Sequence, residues 1–279
     1  MKTAICHYSL RRRYKAEQWS IERLVKEVKG LGVEGVDFHA GLMGATGGAA
    51  DAINAALGKH RFAISGLSLG NNFNQEDPEK FKAQVDTVCG WLEVAAEVKA
   101  PVCRIFGGAM PREHRGDEAA TAAARQRVMD GLGQVVKDAE RLGLILAIEN
   151  HGGLPCTGEE QVEVIKEIGS PSLRATIDVG NYMQGGQEGH VGTAVAAPYA
   201  AYVHFKDFRK IEDASSPLGY KLEATAIGEG DVDLPACVRA LRKAGYDGTV
   251  ALEYEAAEDE TTGVPRSVEN MNKAIAAAG

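Results

Sequence analysis

The chain has 279 residues, enough to bury a large core, and its 39 acidic against 31 basic side chains give a net charge of −8. A protein that binds nucleic acid needs a basic surface, so this balance argues against a nucleic-acid partner. No apolar run approaches the roughly 20 residues that cross a membrane, which argues against a membrane partner.

The cysteines and the arginine-rich start bear on the compartment. Cys6, Cys89, Cys103, Cys156 and Cys237 are scattered, odd in number and never in a C-x-x-C pair. This pattern predicts free thiols in a reducing compartment, and we expect a cytoplasmic protein. No apolar stretch follows the three consecutive arginines at 11–13, as it would in an export signal, so we predict an exposed loop there.

Short apolar runs alternate along the chain with amphipathic segments. The runs predicted as strands are 4–8, 33–39, 61–69, 101–106, 144–149, 173–180, 201–207 and 249–255. Helices are predicted at 19–32 and near 49–59, after Asp77 as N-cap with Pro78 in the first turn, and from about Asp117 to Leu142. Three more are predicted over GEEQVEVIKEIG, LPACVRALRKAG and SVENMNKAIAAA.

Eight strand–helix repeats, nearly continuous apolar strands and a uniform composition predict the α/β class. We expect residues 1–279 to form a single (β/α)8 TIM barrel domain. A doubly wound open sheet is the alternative, but no glycine-rich phosphate-binding turn follows the first predicted strand. In a barrel, the loops that follow the strands build the functional face.

Polar side chains stand at the carboxyl ends of four successive predicted strands. They are Glu149, Asp178, His204 and Glu253, on the fifth to the eighth strand. Because the ends of neighbouring barrel strands lie side by side, we expect these side chains to converge. Three carboxylates and one imidazole suit a hard or borderline divalent ion, with Mn²⁺ expected first and Mg²⁺, Co²⁺ and Zn²⁺ as alternatives.

Each of these four residues, taken singly, has a simpler explanation. A carboxylate after a strand is commonly a helix cap or part of a loop ion pair, and a single buried histidine is commonly a core residue with satisfied hydrogen bonds. The sequence favours a metal site because four consecutive strands each deliver a ligand type at the same end.

The segments IENHGG, IDVGN, HFKD and LEYE resemble the strand ends of the sugar phosphate isomerase/epimerase superfamily, the xylose isomerase-like barrels. The segment GEGDVDLPACVRALRKAGYDG is similar to the family's approach to the last strand. The resemblance covers essentially the whole chain. It implies one divalent ion held by Glu149, Asp178, His204 and Glu253, with a keto sugar or polyol bound to the ion.

Two positions depart from the family pattern. Many members carry a histidine three residues after the sixth-strand aspartate, where this chain has Asn181. His151, two residues beyond Glu149, is an addition that many epimerases lack. Both departures bear on the substrate and the reaction, and we treat Asn181 as a candidate for substrate binding.

Such a site suits chemistry on the carbon next to a carbonyl. A bound cation stabilises an enediolate, and two carboxylates can remove and return the proton. We expect Glu149 and Glu253 to be this catalytic pair. The same first step leads to an epimerase, an isomerase or a lyase. In a lyase, such as a dehydratase or a deglycosidase of 3-keto sugars, His151 would be the acid or base for the leaving group.

Further candidates for substrate binding lie on other strands. His7 and His39 end the first two predicted strands, where they line the pocket or pack at the edge of the core. Arg104 lies inside a strand and either faces the barrel lumen in an ion pair or reaches outward. Lys206 could orient Asp178 or bind substrate, and the simpler interpretation is an exposed lysine.

The sequence therefore favours a metal-dependent sugar isomerase or epimerase with a small-molecule substrate, and a lyase is the alternative. A DNA-repair endonuclease of a related barrel would need a histidine-rich zinc cluster and a basic groove, which seven histidines and the charge of −8 oppose. The complete ligand set opposes a non-catalytic sugar-binding subunit. Assembly into a homo-oligomer stays open.

Overall fold

Eight apolar segments form the parallel strands of a closed barrel in the computed structural model, which describes residues 1–111 and 116–278. They are β1 (Lys2–Cys6), β2 (Gly35–His39), β3 (Ala63–Ser68), β4 (Cys103–Phe106), β5 (Leu146–Glu149), β6 (Leu173–Asp178), β7 (Ala200–Phe205) and β8 (Thr249–Leu252). Each strand pairs with its neighbours in the chain, and β8 closes the ring against β1. The predicted TIM barrel is confirmed.

Helices surround the strands. They are α1 (Arg11–Ala16), α2 (Ile21–Gly30), α3 (Ala40–Met43), α4 (Ala49–His60), α5 (Pro78–Glu97), α6 (Glu118–Leu142), α7 (Gly158–Ile168), α8 (Gly189–Ala196), α9 (Leu234–Lys243) and α10 (Glu260–Ala277). Asp77 caps α5 as predicted, and Asp117, predicted only as the approximate start of α6, caps that helix, because both carboxylates accept backbone N–H groups of the first turn. Within the described ranges, no helix is long and apolar enough to span a membrane.

Alternation along the strands separates two layers of buried side chains. One face of each strand packs against the helices and forms the main core. The other face fills the lumen, where Ala4, Val102, Ala147, Tyr202 and Ala251 form a second cluster. Two residues further along their strands, the same face carries Arg104, Glu149, His204 and Glu253. The lumen is therefore apolar at its middle and charged at its carboxyl end.

The structure differs from the sequence prediction in several places, including the four that follow. The segment with three arginines is helix α1 and not an exposed loop, because buried Glu260 accepts the backbone N–H groups of Arg12 and Arg13. Helix α8 lies between the sixth and seventh predicted strands, where no helix was predicted. Residues 208–212 and 220–224 pair as an antiparallel hairpin between the seventh and eighth barrel strands, where no strand was predicted. Helix α10 begins seven residues before the predicted Ser267 and includes Pro265.

Candidate metal centre

The four predicted ligands meet at the carboxyl end of the barrel. Glu149 and Asp178 are the last residues of β5 and β6, His204 is the penultimate residue of β7, and Glu253 directly follows β8. One ligand atom from each side chain lies within 4.8 Å of the other three. Each residue is at most 5% exposed. The order of the strands therefore brings three carboxylates and one imidazole to one buried point.

One atom of each of these side chains makes no hydrogen bond within the described part of the chain. These atoms are Glu149 Oε2, Asp178 Oδ2, His204 Nδ1 and Glu253 Oε2. Each of the four lies within ion-pair distance of a buried cation or of another member of the set, but none has, among the described residues, the hydrogen bond that a buried polar atom normally makes. Three oxygens and one imidazole nitrogen are a donor set that divalent cations accept. The side chains therefore fit a single divalent ion.

Neighbouring amides fix the other oxygens of the ligands. Asp178 Oδ1 accepts the backbone N–H groups of Gly180 and Asn181, both at 2.9 Å. The side chain of Asn181 donates to Glu149 Oε1 at 3.0 Å. Asn150 exchanges two hydrogen bonds of 2.9 Å with the backbone of Asp178 and so ties the end of β5 to the end of β6. Asp178 and Glu149 thus each have one oxygen held in place and one directed to the centre.

Two buried cations offset the negative charge. Arg104 is 1% exposed, and its Nε lies 3.1 Å from Glu149 Oε2, so it faces the lumen in an ion pair rather than reaching outward. Lys206 is 2% exposed, and its Nζ lies 2.9 Å from Glu253 Oε2 and 3.3 Å from Asp178 Oδ2. The interpretation of Lys206 as an exposed lysine is therefore wrong. Without these cations, the three carboxylates would repel one another strongly.

The pKa values of the carboxylates reflect burial and these cations. Burial acts to raise the pKa of Glu149, but Arg104 and the nearby imidazole of His204 lower it to about 2. Burial likewise opposes ionisation of Glu253, whose pKa is held well below its usual range by Lys206 and His204. Burial raises the pKa of Asp178 to about 7, although Lys206 acts against the shift. Glu149 and Glu253 are therefore ionised at neutral pH.

Two histidines lie at the same end of the barrel on β1 and β2. His7 directly follows β1, is fully buried, and makes no hydrogen bond from either ring nitrogen to the described residues. His39 ends β2, and its Nδ1 also lacks a hydrogen bond within those residues. Burial lowers the pKa of His7 to about 3 and that of His39 to about 4. Both imidazoles are therefore neutral at pH 7 and free to bond an uncharged polar group.

His151 stacks on an aromatic ring beside the centre. Its imidazole lies 4.0 Å from the ring of Phe106 at an interplanar angle of 13°. The guanidinium of Arg104 lies 4.2 Å from the same ring, and two planar groups at these distances must occupy opposite faces. Burial lowers the pKa of His151 to about 4, so its imidazole is neutral at pH 7. The stack holds His151 next to the strand that carries Glu149.

Two residues of the centre have roles that sequence reasoning missed. Asp37 is fully buried on β2, and its Oδ2 lies 3.1 Å from His204 Nε2. A charged residue between apolar Val36 and Phe38 in a predicted strand was the available signal. Asn150 follows Glu149 directly, but nothing in the sequence indicates that its amide bonds the backbone of the next strand.

Comparison with known proteins gives the family. The model of the family described as xylose isomerase-like TIM barrel matches residues 25–274. The chain belongs to this family. The match spans most of the chain, and it confirms the resemblance that the four strand-end segments indicate.

Sugar epimerases are among the proteins that this member of the family resembles. A ketose 3-epimerase of Arthrobacter globiformis is 27% identical over 209 residues, or 71% of this chain and 66% of the relative, so the chain matches just under two thirds of that relative's length. The structure of a 3-keto-D-glucoside 4-epimerase of E. coli has a TM-score of 0.73 at 17% identity, covering 91% of this chain and 94% of that chain.

A xylose isomerase-like TIM barrel protein of Mycobacterium smegmatis, solved in complex with magnesium, is a further structural neighbour. Its TM-score is 0.70 at 17% identity, covering 92% of this chain and 89% of that chain. At such low identity, the two structural likenesses show the shared barrel fold. The chemistry has to be argued from the side chains of the centre.

Proposed function

We propose that this protein is a divalent-metal-dependent isomerase or epimerase of a keto sugar or polyol. The main support is that four buried ligand atoms converge on one point and make no hydrogen bond within the described residues. They belong to Glu149, Asp178, His204 and Glu253. Similarity to a ketose 3-epimerase supports the reaction class, and the magnesium-bound neighbour supports a divalent ion. Mn²⁺ is our first choice, with Mg²⁺, Co²⁺ and Zn²⁺ as alternatives.

The catalytic work of the chain itself is to hold and move a proton. When bound, the divalent ion supplies positive charge that stabilises the negative charge developing on the substrate's oxygens. Glu149 and Glu253 stand three strands apart in the ring, so they reach a substrate between them from different sides. One removes the proton from the carbon between the carbonyl and a hydroxyl, and the other takes up a proton from solvent and delivers it to the opposite face, after which the first releases its proton to solvent. The result is inversion at that carbon.

A lyase is the second candidate, because the same enediolate can expel a group from the next carbon. His151 is neutral at pH 7 and is held beside Glu149 by its stack on Phe106. A neutral imidazole in this position can exchange a proton with a hydroxyl or glycosidic oxygen of the substrate. A dehydratase or a deglycosidase of 3-keto sugars would use it in this way.

The remaining polar side chains are proposed to orient the substrate. His7, His39 and Asn181 offer neutral donors and acceptors around the centre, which suits the hydroxyl groups of a sugar. His7 is the strongest of these candidates, because both of its buried ring nitrogens lack a hydrogen bond within the described residues. Direct substrate contact by Arg104 and Lys206 stays a prediction, since both cations are already paired with ligand carboxylates.

The charge balance of the centre favours a substrate without a phosphate group. Five carboxylates lie in or against the centre: Asp37, Glu149, Asp178, Glu253 and Glu255. Two buried cations, Arg104 and Lys206, and one divalent ion leave this group of charges net negative. A phosphate would add repulsion in a poorly solvated site, so we propose a free sugar or a glycoside as substrate.

The proposal is tested by turnover with and without metal. Protein stripped by a chelator and reloaded with Mn²⁺ is incubated with D-fructose, D-fructose 6-phosphate and a 3-keto-D-glucoside, and the products are separated by chromatography. We expect a neutral sugar to be converted only by the reloaded protein. Activity that resists the chelator, in protein that elemental analysis finds free of metal, would remove the proposal.

A further inference from the structure

Asp37 is a buried carboxylate that lies outside the four-ligand set. It stands on β2 with no exposed surface, and its side chain reaches the imidazole of His204 across the lumen. Asp37 Oδ2 lies 3.1 Å from His204 Nε2 and accepts a second hydrogen bond of 2.7 Å from the hydroxyl of Ser68. A buried charge is costly unless hydrogen bonds hold it, so its place here requires a function.

The two ring nitrogens of His204 face different partners. Nδ1 lies 3.4 Å from Glu149 Oε2 and 3.5 Å from Glu253 Oε2, on the side of the ligand atoms. Nε2 faces Asp37. Because an ionised carboxylate only accepts hydrogen bonds, the proton of a neutral imidazole must lie on Nε2, and the lone pair of Nδ1 is then directed to the centre.

We propose that Asp37 is a positioning residue that fixes the ring orientation and the tautomer of His204 for metal binding. Its negative charge also makes the imidazole a stronger donor to a cation. The inference rests on the proposed divalent ion and adds a residue that does not touch the ion. Strand β2 supplies none of the four ligands, but through Asp37 it would contribute to the affinity of the centre for the metal ion.

The packing around Asp37 leaves little freedom for the pair. A Cβ on Gly66 would lie 3.2 Å from Asp37 Oδ1 and 3.3 Å from the ring of Tyr202, so the glycine makes room for the carboxylate. The Tyr202 ring meets the imidazole of His204 edge-on, at 5.3 Å between centroids and 73° between planes. These contacts leave one arrangement in which the hydrogen bond and the metal-facing nitrogen are satisfied together.

A second cation held by Cys6, Asp37 and His204 is the competing explanation, since their ligand atoms also lie within 4.8 Å of one another. It would require both nitrogens of one imidazole to bind metal. Asp37 Oδ2 is already engaged with two partners, and the Cys6 thiol lies 3.9 Å from Glu253 Oε1 as a weak donor. We therefore favour the hydrogen-bonded arrangement, and the metal stoichiometry decides between the two.

The test is the affinity of the metal-free protein for Mn²⁺, measured by competition with a chromophoric chelator. Asp37→Ala should weaken binding by about 10–100-fold, the usual effect of losing the outer partner of a histidine ligand. Asp37→Asn keeps the shape and one acceptor oxygen but loses the charge, so its loss should be smaller. Ser65→Ala is the matched control, because Ser65 is also buried in the lumen but bonds Tyr202 rather than His204. Its affinity should equal that of the wild type.

Each outcome has a defined meaning. Wild-type affinity in Asp37→Ala, in protein shown to be folded by circular dichroism, would overturn the inference. If Asp37→Ala does not fold, wild-type affinity in Asp37→Asn would do so. Two ions per wild-type chain and one in the variant would instead make Asp37 a ligand. If the wild-type protein binds no divalent ion, the proposed function itself is wrong. That result is distinct from a failure of the inference about Asp37.

Discussion

Glu149 and Glu253 share a residue type and a place at a strand end, but each has its own buried cation. Arg104 pairs with Glu149, and Lys206 pairs with Glu253. Both pairs lower the pKa of the carboxylate, so both side chains are ionised where the enzyme would work. The different partners imply that the two carboxylates are unequal as bases, and in the proposed reaction one of them serves each face of the substrate.

Replacing either carboxylate by its amide should therefore stop the proton transfer while the barrel persists. Glu149→Gln and Glu253→Gln retain the shape and one oxygen, and we expect kcat to fall by about 10²–10⁴-fold in each. In an epimerase, one variant should still exchange the carbon-bound proton of one epimer with D₂O without inverting it. Near wild-type turnover in both variants would show that the proton is moved elsewhere.

His151 gives a second prediction at this scale. If it exchanges a proton with the leaving group or a hydroxyl, His151→Ala should lower kcat by at least about 10²-fold with no loss of bound metal. Its imidazole is not in the ligand set, so elemental analysis of the variant serves as the control. Unchanged turnover, with some loss of stability, would make His151 only a packing partner of Phe106.

The buried imidazole of His7 should make the free energy of unfolding depend on pH. Burial lowers its folded-state pKa to about 3, whereas the unfolded chain takes up the proton near pH 6.5. In that window the unfolded state binds more protons, so the free energy of unfolding falls as pH falls, by up to about 1.4 kcal/mol per pH unit. His7→Gln should reduce this slope in urea unfolding between about pH 7 and pH 5. An unchanged slope would show that His7 is protonated in the folded protein.

Much of the centre could be predicted at the scale of residues, and the reason is physical. Glu149, Asp178, His204 and Glu253 are visible because residue type and position at a strand end are properties of the sequence alone. The burial of Lys206 and the bond from Asp37 to His204 depend on which strands face each other across the lumen. No local pattern carries that information, so those contacts emerge only from the fold.

At the scale of elements, the strands were predictable because they are nearly continuous apolar runs. Helix α8 was not, because its segment GHVGTAVA holds two glycines that weaken the helical signal. The structure requires them: a Cβ on Gly192 would lie 2.5 Å from the ring of Tyr182, and one on Gly189 would lie 2.3 Å from Val179 O. Close packing of α8 against the barrel therefore overrides local propensity. The first turns of α10 were not predicted either, because Pro265 within them weakens the helical signal of the sequence.

Two glycines of α6 make a matched test of this packing. A Cβ on Gly131 would lie 2.5 Å from the ring of buried Phe73, whereas one on Gly133 would meet nothing within 4 Å. Gly131→Ala should therefore destabilise the protein by about 1–3 kcal/mol through overpacking. Gly133→Ala, in the same helix, should stabilise it by about 0.5–1 kcal/mol, because alanine loses less backbone entropy. Urea unfolding measures both, and equal effects would contradict the packing argument.

At the scale of the whole molecule, the barrel concentrates charge that the strands alone could not hold. Four consecutive strands supply ligands, β2 supplies Asp37, and β4 supplies Arg104, so six of the eight strands contribute to one centre. An ion that binds this centre binds only the folded ring, and its binding free energy adds to stability. Metal binding, stability and catalysis are therefore expected to change together.

The most direct measurement of the central claim is metal-dependent deuterium uptake by the substrate. The protein is incubated in D₂O with the neutral sugar that it converts, in the presence of either Mn²⁺ or a chelator. The deuterium content of the recovered sugar is then measured by mass spectrometry. The metal-dependent enediolate mechanism predicts deuterium at the reacting carbon of the product with Mn²⁺. It predicts none with the chelator or in His204→Ala, which lacks a ligand. Conversion without deuterium uptake, or uptake that continues in metal-free protein, would contradict it.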